Sequence, residues 1–224
     1  MLYFRGCTAN KRLANISKTT EKLLKIANIN YQTIEDEICC GSILLGTGFV
    51  DEAKEILKNT VSNFENEKVL VSCAGCYKTL KEDYKKLFNI DLDIIHTSQL
   101  FNELIDQNKL NIKKSDIDVT YHDPCHLGRC SYEFDAPRDV IKSIANLKEM
   151  ENNRKNSKCC GAGGGVRSAF PEITKSIAKS RIEEVENINC EILITTCPFC
   201  KLNLDENPHL EVLDLSEFIL KNIL

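Results

Sequence analysis

Ten of the chain's twelve cysteines fall into two copies of one order: a single cysteine, an adjacent pair, then Cys-x-x-Cys. The first copy is Cys7, Cys39, Cys40, Cys73 and Cys76; the second is Cys125, Cys159, Cys160, Cys197 and Cys200. A Cys-x-x-Cys alone serves zinc sites, redox dithiols and iron–sulfur sites alike. A tetrahedral zinc takes four ligands, one fewer than each copy offers. Neighbouring side chains on extended backbone point apart, so an adjacent pair suits something wider than one small ion. A polynuclear iron–sulfur cluster has that width, and its sulfides accept hydrogen bonds from backbone N–H groups. The glycines of "KCCGAGGGVRS" (158–168) would let the main chain come that close. The first copy reads "ICCGSILLGTG" (38–48), where Ile43 and Leu44 leave less room for backbone.

A scaffold repeated in the same way must position these thiols. Cys7 aligns with Cys125 at an offset of 118, the adjacent pairs at 120 and the Cys-x-x-Cys pairs at 124. The stretch "LDIIHTSQLFNEL" (92–104) matches "LEVLDLSEFILKN" (210–222), again at 118. This is a duplication of a unit of half the chain. The polar stretch "DQNKLNIKKSD" (106–116) marks the join, giving units 1–110 and 111–224. In the first unit, strands are expected at 2–6, 31–34, 68–72 and 92–95, with helices over 11–29, 51–64, 74–88 and 98–108. The second unit repeats this with "DVTYH", a helix from Ala136, the strand "LKEM", a helix after Pro171, the strand "EILITT" and a last helix. Alternating strands and helices predict an α/β fold: two pseudo-twofold-related, Rossmann-like halves, each a short parallel sheet flanked by helices. The cysteines follow strands, and open α/β sheets bind ligands outside the carboxyl ends of their strands.

At "YHDPCHLGRC", "CCGAGGGVRSAFPE", "TTCPFCKLNL" and "SCAGCYKTLKEDY" the chain resembles the cysteine-rich CCG domain family. That domain occurs twice in the catalytic subunits of heterodisulfide reductases. It is found also in thiol:fumarate reductase and in iron–sulfur subunits of glycolate and lactate oxidases. The resemblance implies two noncubane [4Fe–4S] clusters, each held by the five cysteines of one copy. It implies as substrate the mixed disulfide of coenzymes M and B. It also implies a ferredoxin-like [4Fe–4S] subunit or domain, or a flavin subunit, as electron-transfer partner. The 32-residue gap between Cys40 and Cys73 is shorter than the family pattern, against 36 in the second copy, which makes the first site the candidate for alteration or for zinc.

Histidines and cations lie beside the cysteines. His122 and His126 flank Cys125 and are candidate proton donors to a departing thiolate; loop packing is the plainer role. His96 stands at a strand end where the second copy has Asp214, so no shared duty is expected of the two, and His209 reads as a surface residue. Arg5, Lys78, Arg129 and Arg167 either balance cluster charge or cradle an anionic thiol or disulfide substrate. Cys190 is expected to be a small buried apolar residue and Cys130 a bystander.

Composition narrows the setting. A net charge of −4 argues against general nucleic-acid binding, and no apolar run approaches a membrane span. The start "MLYFRGC" shows no secretory leader, so the thiols are expected in a reducing compartment, the cytoplasm, rather than as disulfides. Three functions follow: a catalytic subunit reducing a disulfide or oxidising its thiols, an electron-transfer iron–sulfur subunit for a flavin enzyme, or a zinc-stabilised interaction module.

Overall fold

The computed structural model describes residues 1–64, 67–206 and 209–224. The first half builds a four-stranded sheet from β1 (Leu2–Phe4), β2 (Gln32–Thr33), β3 (Val69–Val71) and β4 (Ile94–His96), in the order β2-β1-β3-β4. The second repeats it with β5 (Asp118–His122), β6 (Asn146–Leu147), β7 (Ile192–Thr195) and β8 (Glu211–Asp214), in the order β6-β5-β7-β8. Every strand pair within these sheets is parallel, as a strand–helix alternation requires. Registers match at the carboxyl edges: Phe4 lies opposite Val71 and Val71 opposite His96, as His122 lies opposite Thr195 and Thr195 opposite Asp214. Thus Phe4 and His122 occupy equivalent places, as do His96 and Asp214.

The helices of the first half are α1 (Cys7–Lys11), α2 (Ala14–Ile26), α3 (Ser42–Gly46), α4 (Val50–Val61), α5 (Ala74–Lys78), α6 (Tyr84–Phe88) and α7 (Thr97–Asp106). Those of the second are α8 (Asp135–Ile144), α9 (Val166–Ala169), α10 (Pro171–Asn187), α11 (Pro198–Leu204) and α12 (Leu215–Lys221). The central strands β1 and β3 are apolar and buried along their whole length, because both faces of the sheet are covered. Tyr3, Leu70, Ile95, Tyr121, Ile194 and Leu213 enter one core cluster; their strand neighbours Phe4, Val71, Leu193 and Val212 enter the other. The first cluster joins the halves, with α2 packed on α12 and α7 on α8. Residues 107–117 cross between α7 and β5 with one isolated bridge, Ile112 to Ile223, and we propose that the junction of the repeated units lies within them.

Several elements differ in extent from the sequence expectation. The helix expected over 11–29 is two helices, broken at Leu13, and the first begins at Cys7 itself. The helix expected over 74–88 is continuous but passes through a π-turn at Thr79–Asp83. The strand expected at "LKEM" lies earlier, at Asn146–Leu147. Asn28, Asn89, Asn108 and Asn189 each stand just past a helix with positive φ, the left-handed conformation that asparagine tolerates at helix ends.

Candidate metal centre

Each strand end delivers its cysteines to the same edge. β1 turns through Gly6 (φ +81°) into α1, which opens on Cys7; in the second half a π-turn, His126–Cys130, follows Cys125 directly. Cys73 and Cys197 are the extended residues immediately before α5 and α11, and those helices carry Cys76 and Cys200 on their first turn. The adjacent pairs sit in the loops before α3 and α9. All twelve cysteines are free thiols. Cys190 is buried in the core, and Cys130 is exposed.

The thiols adjoin one another in two strings of the same order. The first runs Cys7, Cys39, Cys40, Cys76, Cys73; the second runs Cys125, Cys159, Cys160, Cys200, Cys197. The strings meet, because Cys73 adjoins Cys197 across the pseudo-twofold. Thiols so close cannot ionise independently. Cys40 is held well below the ordinary thiol range by donation from Cys39 and Cys76, and Cys159 by donation from Cys125 and Cys160. The donors shift the other way: contact with Cys159 raises Cys125, and it pushes Cys160 up to about 12. A cationic metal centre relieves this conflict by letting several thiolates coexist.

The backbone makes room for such a centre. A Cβ on Gly6 would stand 3.2 Å from Cys76 Sγ, and one on Gly75 would stand 3.6 Å from Cys73 Sγ. The N–H groups of Gly41 and Gly161 donate to Cys39 Sγ and Cys159 Sγ, each at 3.4 Å. The run Gly163–Gly164–Gly165 follows the adjacent cysteine pair of the second half. A Cβ there would meet no sulfur within 4 Å; Gly164 and Gly165 instead abut Gly46 and Thr47 of the other half. Ile43, expected to crowd the first site, is exposed. Among the described residues one compact set of three metal-ligating atoms lies within 4.8 Å of one another: His122, Cys160 and Cys200, in the second half rather than the first. Each five-thiol string is therefore longer than one small ion needs, and suits a broader iron–sulfur group.

The histidines divide. His122 is fully buried at the end of β5, and its Nδ1 accepts from Arg181 Nε at 3.2 Å. Burial and the Arg181 charge lower its pKa to about 4. His126 is half-buried, with Nδ1 3.5 Å from where a Gly75 Cβ would be, so a residue of the second half stands at the Cys-x-x-Cys of the first. His96 caps α7 by accepting from Ser98 N–H at 3.1 Å, and His209 is exposed.

The four expected cations all have protein partners. Arg5 Nη2 donates to Ile34 O at 2.6 Å and pairs with Glu37; Lys78 pairs with Asp83 at 2.6 Å. Arg129 donates to Ser157 O, while Arg167 reaches Asn203 and pairs with Glu206 at 3.0 Å. Two other arginines were not singled out by sequence. Arg138 is fully buried, bidentate on Asp123 at 2.7 and 2.8 Å and paired with Glu149, which fixes the loop between His122 and Cys125. Arg181 is fully buried and also donates to Asn152 O and to Glu184. Both carry a readable signal. Arg181 lies on the stripe Ala178, Ile182, Val185, and Arg138 on the stripe Ile141, Ala145, where a solvated arginine has no place.

A family model, the cysteine-rich CCG domain, matches residues 1–81 and 119–205. The chain belongs to the CCG cysteine-rich domain family. Both stretches of this CCG protein contain one string of five cysteines. Among curated proteins it is 39% identical over 216 residues to a dihydromethanophenazine:CoB–CoM heterodisulfide reductase subunit of Methanosarcina acetivorans, covering 91% of the chain and 53% of that relative. It is 33% identical over 223 residues to a fumarate reductase (CoM/CoB) subunit of Methanothermobacter marburgensis, covering 99% of the chain and 44% of that relative. A third relative, the EtfAB:quinone oxidoreductase of Syntrophomonas wolfei, is 28% identical over 214 residues, covering 89% of the chain and 30% of that protein. The CCG chain spans about half the length, or less, of these relatives.

Proposed function

We propose that this chain is the thiol-handling iron–sulfur module of an oxidoreductase that reduces a disulfide of the coenzyme M–coenzyme B type or oxidises the corresponding thiols. The observation that carries the reading is the pair of five-thiol strings meeting at Cys73 and Cys197. Cys7, Cys39, Cys40, Cys73 and Cys76 would hold one noncubane [4Fe–4S] cluster, and Cys125, Cys159, Cys160, Cys197 and Cys200 the other. When bound, such clusters supply electrons singly, and two of them match the two electrons that, together with two protons from acidic groups and solvent, turn one S–S bond into two S–H groups. The chain's own part is to gather the thiolates, to place backbone N–H groups of Gly41 and Gly161 on sulfur, and to exclude water with the buried core around Cys40 and Cys160. His126, at the first Cys-x-x-Cys, is the residue we assign to proton delivery. Arg5, Lys78, Arg129 and Arg167 are the proposed anion-binding set, and each would exchange a present partner for substrate. Electrons would come from a ferredoxin-like [4Fe–4S] subunit or domain, in the cytoplasm.

One observation favours a second reading. Because all four cations already have partners, the module equally suits electron relay to a flavin subunit, without a substrate of its own. The test is Cys76→Ser and Cys200→Ser, assayed for iron, zinc and heterodisulfide reduction with a reduced viologen as donor. The catalytic reading predicts that each variant loses about half the iron and more than 90% of the activity, since both sites are used. Iron without activity in the unaltered chain supports the relay; zinc at the first site alone supports the altered-site expectation.

A further inference from the structure

We infer that Arg181 locks His122 as the Nε2–H tautomer, and that this N–H donates to sulfur at the second site and holds that site at a higher reduction potential than the first. The inference rests on the reading that both sites hold iron–sulfur clusters. A guanidinium offers only donors and keeps its charge in a protein. Its Nε stands 3.2 Å from His122 Nδ1, so Nδ1 must be the acceptor. A neutral imidazole with a lone pair at Nδ1 carries its proton at Nε2. Arg181 is itself fixed, by Asn152 O at 2.8 Å and by Glu184, so the lock does not turn away.

Arg181 also limits what His122 can be to a metal. Grouped with Cys160 and Cys200 within 4.8 Å, it looks like a third ligand. Ligation through Nε2 needs a lone pair there, and the arginine forbids it. What remains is a donor. Nε2 is buried and has no hydrogen-bond partner among the described residues, and the His122 ring stands with Cys160 and Cys200 in a group of ligand atoms within 4.8 Å of one another. A buried N–H without an acceptor is destabilising, which sulfur at this site would remove.

The first half has no counterpart. Phe4 occupies the equivalent place, packed edge-on against Phe64 with ring centroids 5.8 Å apart, and it has no N–H. Hydrogen bonds to sulfur favour the more negative, reduced state and raise the potential. Two sites alike in their cysteines are thereby made unlike, and the second becomes the preferred electron acceptor.

The test uses the full chain, purified anaerobically, with His122→Phe and His122→Gln. Phenylalanine reproduces the first half. Glutamine can accept from Arg181 through its oxygen and donate through its N–H. Redox titration followed by electron paramagnetic resonance should give two potentials in the unaltered chain. In His122→Phe the higher one should fall by about tenfold in the redox equilibrium, ~59 mV for a one-electron couple, with iron content unchanged. In His122→Gln it should stay near its original value. Imidazole nitrogen resonances of the metal-free, unaltered chain should report Nε2–H at His122, a reading that holds whether or not a variant folds. Unchanged potentials in His122→Phe, loss of second-site iron in that variant, or an Nδ1–H tautomer would each overturn the inference. Absence of iron from the unaltered chain would overturn the cluster reading and the potential difference with it, while the tautomer would stand or fall on the nitrogen resonances alone.

Discussion

Gly161 shows how much one residue controls at the cysteine edge. It follows Cys160 with φ +90°, its N–H donates to Cys159 Sγ, and its carbonyl accepts from Thr174 Oγ1 at 2.9 Å. A Cβ there would lie 2.9 Å from Ile177 Cβ and 3.1 Å from Thr174 O, so alanine meets both a forbidden conformation and a wall. Gly163, two residues on, has open space around it and no such φ. Gly161→Ala should therefore cost about 1–3 kcal/mol in urea unfolding and lower the iron retained, whereas Gly163→Ala should be near neutral. The motif "CCGAGGG" was legible as a place where backbone replaces side chains. Which glycine serves the sulfurs was not, because φ and neighbours are set by α10 and by the other half. Arg181 and Arg138 escaped for a related reason: their charges are meaningful only once the strands bring His122 and Asp123 beside them.

At the level of elements, β4 and β8 end in the same way with different chemistry. His96 and Asp214 both cap the helix that follows, each accepting a backbone N–H two residues on, with Gln99 and Glu217 completing the capping boxes. Asp214 is buried, and loss of solvation raises its pKa from 3.8 to about 7. The folded chain thus takes up this proton below about pH 7, the unfolded chain only below about pH 4. The stability this group contributes is full below pH 4 and is lost as pH rises through 7. Buried His96 and His122 work in the opposite sense: both are lowered to about 4, so folding is opposed as pH falls from 6.5 toward 4. Asp214→Asn keeps the cap and removes one titration. Relative to the unaltered chain its unfolding free energy should rise by a few kcal/mol between pH 4.5 and pH 7.5, a difference in which the histidine contributions cancel. A flat difference across that range would show that Asp214 is ionised throughout. The repeat of "LDIIHTSQ" in "LEVLDLSE" aligned the two positions but, against the sequence expectation, they share a duty as helix caps; their titration depends on burial, which no local pattern carries.

For the molecule as a whole, the duplication read from cysteine offsets corresponds to two all-parallel sheets with matched registers. Their docking is what the sequence left open. The α2–α12 and α7–α8 contacts bury one apolar cluster common to both halves, and the same docking carries Cys73 to Cys197 and His126 to Gly75. Ten motif cysteines thereby form one connected edge, the arrangement on which the proposed two-electron sulfur chemistry depends. The most direct test is the metal content of the full chain, expressed with iron and sulfide supply and purified without oxygen, with iron, acid-labile sulfide and zinc measured on the same sample. Two [4Fe–4S] clusters predict about eight iron and about eight sulfide per chain with negligible zinc. Zinc at one or two per chain with no labile sulfide would contradict the account and leave a zinc-stabilised module in its place.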